Sequence, residues 1–127
     1  MAKNKKKRKK KGQIVEINVK QRFQNVKILV NTKRPKEAIA YIYLVYTDLI
    51  NNKHKKPRMQ YQTIREYAID CVTKLELKPQ NTYVFIKKIE DIIYGGVEPT
   101  AKEFEATIGL FINLHKEITG KAFSFSL

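Results

Sequence analysis

From Pro35 onward the apolar residues of this chain recur at helical spacing, and this periodicity limits the fold more than any other feature. Ala38, Ile39, Ile42, Tyr43, Val45, Tyr46, Leu49 and Ile50 follow an i, i+3, i+4 pattern. Pro35 suits a first helical turn, where its missing N–H is not needed. This first helix is expected to stop near Asn51-Asn52, before a loop from Lys53 to Arg58 that contains Pro57. Thr63-Ile64-Arg65-Glu66 has the form of a capping box, with Thr63 and Glu66 as reciprocal caps. Ile64, Ala68, Cys71, Val72 and Leu75 then make one stripe, which Pro79 is expected to close. A third helix, capped by Asn81 or Thr82, carries Phe85, Ile86, Ile89, Ile92 and Ile93 and ends at Gly95-Gly96. Thr100 and Glu103 repeat the capping-box form. The fourth helix buries Phe104, Ile108, Phe111, Ile112 and Ile118 and ends at Gly120.

The fold expected is mainly all-α, a compact four-helix bundle over residues 33–120, its helices packing through apolar stripes at shallow or moderate angles. Before it, Val15, Ile17 and Val19 alternate with polar residues, as do Val26, Ile28 and Val30. Period-two alternation predicts a short hairpin or an extended segment over 14–32. The tail 121–127, with Phe123 and Phe125 alternating with serines, is expected to pack back as an extended strip.

Charge divides the chain. Lys3, Lys5, Lys6, Lys7, Arg8, Lys9, Lys10 and Lys11 form a block with no acid inside it, and these eight account for much of the net +14. Such a block repels itself and cannot pack a core, so residues 1–13 read as a solvated, disordered arm for an anionic surface. At 127 residues the chain is one domain by size. A single cysteine, Cys71, excludes an internal disulfide. No run approaches the ~20 apolar residues that span a bilayer, and no apolar stretch follows the positive N-terminus as a secretory signal requires.

Catalytic constellations are absent from the pattern. His54 sits among Lys53, Lys55 and Lys56, where neighbouring charge disfavours its protonation. Neither it nor His115 has a second ligand at metal spacing. Cys71 falls on an apolar stripe, which favours packing over nucleophilic chemistry. Tyr94-Gly95-Gly96 lacks the Lys-Ser/Thr of a phosphate loop. No enzyme activity, cofactor, metal or small-molecule substrate is expected. The candidate interaction residues outside the arm are Lys55, Lys56, Arg58 and Arg65. Tyr67 and Tyr94 are expected to support packing.

Two partners suit the charge. Lysine clusters are drawn to anionic lipid by roughly 1 kcal/mol per residue near the surface and mark the cytoplasmic side of a membrane. The rival is nucleic acid, with the arm and the basic loop on phosphates and Tyr41 or Tyr61 as stacking faces. Against the rival, none of the four helices shows an Arg/Asn/Gln-rich face suited to reading bases.

Arg34-Pro35-Lys36-Glu37-Ala38-Ile39-Ala40-Tyr41, Lys56-Pro57-Arg58, Gln62-Thr63-Ile64-Arg65-Glu66-Tyr67 and Glu90-Asp91-Ile92-Ile93-Tyr94-Gly95-Gly96 together resemble the domain of unknown function 4129. The resemblance spans roughly Lys33 to Gly120 and departs at Ile64, where the family usually has proline. It implies a helical domain that follows a membrane-spanning helix, sometimes in transglutaminase-like membrane proteins. The lysine arm would then be the cytoplasmic flank of such a helix. The family brings no catalytic residues. The resulting expectation is a non-enzymatic cytoplasmic interaction domain, the soluble part of a membrane-anchored protein, that docks a protein partner beside the membrane.

Overall fold

A computed structural model describes residues 18–125. Five helices follow one another: α1 (Val19–Asn31), α2 (Pro35–His54), α3 (Ile64–Leu75), α4 (Pro79–Ile93) and α5 (Ala101–Thr119). The arm cations and residues 14–17 lie outside the described residues, as do residues 126 and 127.

The first helix overturns the hairpin expected over 14–32, at least from residue 18 onward. Asn18 caps it by accepting the Gln21 N–H at 3.0 Å. Val19, Phe23 and Val26 are buried at i, i+4 and i+7. Counting only valines and isoleucines hides this, because Phe23 then falls within 20–25, the turn that such a hairpin would need. Ile28, which the alternation would bury beside Val26 and Val30, is 57% exposed. The Phe23 ring instead sits at the centre of an aromatic group, 4.9 Å from Phe111, 5.3 Å from Phe123 and 4.9 Å from Phe125. Phe123 and Phe125 thus pack back from the tail as expected.

The remaining helices follow their stripes, except that Ile112, expected to be buried, is half-buried against the core. All eight apolar residues of the first predicted stripe are buried in α2. Pro35 occupies its first turn. The helix runs two residues past Asn52 to His54, where Lys55 takes a left-handed conformation (φ 56°) and its N–H donates to the Asn51 carbonyl. Both halves of the Thr63 box form: Glu66 N–H donates to Thr63 Oγ1 at 3.0 Å, and Thr63 N–H donates to Glu66 Oε1 at 2.9 Å. At Thr100 only one half forms. Its hydroxyl accepts the Glu103 N–H at 3.3 Å, while the Glu103 carboxylate turns to Lys88 on α4 at 2.8 Å.

The start of α4 also differs from expectation. Pro79 opens the helix rather than closing the preceding segment. Neither Asn81 nor Thr82 caps it. Glu117 of α5 does part of that work from across the bundle, accepting the Lys78 N–H at 2.6 Å and the Asn81 side-chain amide at 3.1 Å. At its far end Gly96 adopts φ 78°, which lets Val97 N–H reach the Asp91 carbonyl.

In the packing, α2 contacts α1, α4 and α5, and α4 contacts α3 and α5. The order across the molecule therefore places α1 at one edge and α3 at the other. Phe85, Ile86, Ile89 and Ile92 of α4 meet Phe104, Phe111 and Leu114 of α5 in one continuous core with α2.

Candidate functional site

The described residues contain no group of three or more His, Cys, Asp and Glu side chains placed to share a metal ion. Cys71 is fully buried, and burial pushes its thiol up to about 11. Near neutral pH it is a protonated packing group. His54 is shifted down, first by burial and second by Lys53. His115 is buried between the Phe111 and Phe123 rings, with Nδ1 3.0 Å from the Lys121 carbonyl.

The structure engages most of the cations named as interaction candidates. Lys56 pairs with Asp70 at 2.7 Å, and Lys74 approaches the same carboxylate at 3.2 Å. These bonds, Lys56 foremost, hold the Asp70 carboxyl below its ordinary range. Arg65 grips both oxygens of Glu90, at 2.7 and 3.3 Å, and so ties the first turn of α3 to the last turn of α4. The Arg58 guanidinium donates to the Gln62 carbonyl at 2.6 Å and the Met59 carbonyl at 3.2 Å. Lys55 stands exposed at the α2 C-terminus. Thr63, Glu66 and Thr100 cap helix starts as described, whereas the Glu103 carboxylate, expected as a cap, pairs with Lys88 instead. Tyr67 is buried and donates to the Lys56 carbonyl at 2.6 Å, whereas Tyr94, expected in the packing, is 75% exposed.

The larger electrostatic feature lies on α1. Residues 1–36 hold fourteen of the 26 lysines and arginines but only one acid, Glu16, for a net +13. The remainder, with twelve cations and eleven acids, is nearly neutral. The charge polarity therefore extends well past the lysine arm. Within the described part, α1 and the turn after it carry Lys20, Arg22, Lys27, Lys33 and Arg34 with no acid among them, and Lys36 follows at the start of α2, just before Glu37. Arg22 is committed internally: it pairs with Asp48 at 2.8 Å, donates to the Tyr41 hydroxyl at 2.9 Å and lies over the Tyr41 ring. Arg34 makes a long, exposed contact with Glu37 at 3.5 Å, a pairing of little energetic weight. Lys20, Lys33 and Lys36 are exposed and Lys27 is half-buried; no described carboxylate pairs with them.

This surface also carries exposed Gln21, Gln24, Asn25 and Asn31. It is the amide-rich helical face that the four predicted helices lacked, and reading the segment as strands concealed it. Stepping the sequence by 100° per residue from Val19 would have found it.

No helix among the described residues is long and apolar enough to cross a membrane. Comparison with family models, curated proteins and solved structures finds no match to this chain. The resemblance to the domain of unknown function 4129 thus rests on the quoted motifs alone.

Proposed function

We propose that this chain is a non-enzymatic interaction domain seated against the anionic, cytoplasmic face of a membrane by its N-terminal cationic sector. The observation that carries this reading is the gathering of +13 into residues 1–36, continued along α1 and its following turn with no acid. The apolar face of α1 is already used in the core, so the helix would rest on headgroups rather than insert. Near an anionic leaflet each lysine contributes roughly 1 kcal/mol, decaying within a Debye length of about 8 Å. The resemblance to a family whose members follow membrane-spanning helices supports the same placement.

Co-sedimentation with phosphatidylserine-containing vesicles, with phosphatidylcholine vesicles as control, tests it. Salt-sensitive binding to the anionic vesicles only is expected. The triple variant Lys20→Glu, Lys27→Glu, Lys33→Glu should weaken it by on the order of 100-fold with the arm intact. Equal binding by the triple variant would remove α1 from the account, and no binding to either vesicle would end it.

The second reading, nucleic-acid binding, is favoured by one observation: the exposed Lys20, Gln21, Gln24, Lys27 and Asn31 of α1. Duplex DNA or single strands competing the protein off vesicles at physiological salt would support it over the first.

A further inference from the structure

We propose that the end of the bundle built from residues 55–63 and the exit of α4 docks an acidic segment of a partner protein that also bears apolar side chains. This rests on the interaction-domain reading and says where on that domain the partner sits. Four large side chains stand out of the fold here: Tyr61 at 79% exposure, Tyr94 at 75%, Met59 at 46%, and Val97. The Arg65–Glu90 fork brings the start of α3 and the end of α4 together, with Tyr94 one helical turn beyond Glu90. The Tyr43 hydroxyl of α2 is buried without a hydrogen-bond partner.

The loop is fixed before anything binds. Arg58 staples Met59 to Gln62, Met59 N–H donates to Gln62 Oε1 at 2.9 Å, and Tyr67 holds the Lys56 carbonyl. A pre-ordered loop spares the ordering cost that weakens association. Tyrosine, methionine and arginine are the side chains enriched at protein interfaces.

Charge selects the occupant. Residues 53–63 hold four cations and no acid, and the α4 exit adds one exposed acid, Glu98. Asp70 neutralises Lys56, which leaves Lys53, Lys55 and Arg58 facing outward or at the rim. Carboxylates complement them, and the two phenol rings and Met59 accept an apolar side chain between. A nucleic acid would find two stacking faces here but only three uncompensated cations, against the fourteen gathered in residues 1–36. The start of α3, which carries one half of the site, lies across the bundle from α1. A domain resting on lipid through α1 would present this end to a partner.

Panning a random 12-residue peptide library on the full chain at physiological salt tests the proposal, with the double variant Tyr61→Ser, Tyr94→Ser as counter-target. Both residues are exposed, so the variant should keep the parent melting temperature, which thermal unfolding checks. The expected result is enrichment of peptides that combine acids with an aliphatic or aromatic residue and bind the double variant at least tenfold more weakly. Failure to enrich, peptides without acids, or peptides that bind both proteins equally would overturn it. So would a single-stranded oligonucleotide whose binding the double variant abolishes, by assigning the patch to nucleic acid. Vesicle binding by the double variant should be unchanged, which separates failure of this site from failure of the membrane reading.

Discussion

Three tyrosine hydroxyls enter the core and meet different fates. Tyr67 donates to the Lys56 carbonyl, while the hydroxyls of Tyr43 and Tyr46 are buried with no partner. An unpaired buried hydroxyl costs desolvation and returns nothing, so Tyr46→Phe should leave stability unchanged or raise it by about 1 kcal/mol. Tyr67→Phe, of the same shape change, should lose about 1 kcal/mol, because it strands a carbonyl. Urea denaturation of the pair reads the contrast directly. The two threonine caps offer a second comparison. Thr63→Ala breaks a reciprocal box and should cost about 1 kcal/mol; Thr100→Ala removes one long bond and should cost about 0.5 kcal/mol. Both boxes look alike in sequence, and only the position of Lys88 on the neighbouring helix explains why Glu103 abandons its own cap. Cys71 supplies a pH test. Its folded thiol titrates above its unfolded value, so its contribution to stability is fully present below the ordinary thiol range and is lost as pH rises through about 11. Iodoacetamide at mildly alkaline pH should therefore label the unfolded chain and spare the folded one.

Whole elements were legible where a long apolar stripe carried them. The α2, α3 and α5 stripes can be read residue by residue, because burying a continuous face leaves one helical phase open to them. Two elements were not legible for different reasons. The start of α4 depends on Glu117, 39 residues away from Lys78, and no local signal announces a cap delivered across a bundle. The first helix is short and β-branched, with Val19, Val26, Ile28 and Val30 among its thirteen residues, so local preference and alternation both favoured strand. Tertiary burial of Phe23 against Phe111 outweighs that preference. Gln24→Pro tests this element. Gln24 is exposed in mid-helix, and proline there should cost about 3 kcal/mol or more. A turn at 20–25 would accept the proline with unchanged stability and circular dichroism.

At the scale of the molecule the chain is electrically lopsided, and the fold preserves the imbalance. The near-neutral bulk of α2 to α5 builds most of the core, and α1 adds a cationic edge that the half-exposed Arg22–Asp48 pair helps to fasten in place. The lysine block was plain in the sequence; its continuation along α1 was not, because it becomes a surface only once the segment is helical. The candidate cations of the basic loop showed the opposite error, since Lys56 and Arg65 are committed to Asp70 and Glu90, partners that lie 14 and 25 residues onward. In the proposed seating the α1 edge lies against anionic lipid and the α3 edge away from it. Paramagnetic broadening by headgroup-labelled lipid in phosphatidylserine vesicles measures this orientation on the intact chain, amide by amide. Broadening concentrated in residues 18–36 and weak along α3 is the predicted result; broadening centred on α3, or spread evenly over all five helices, would contradict it.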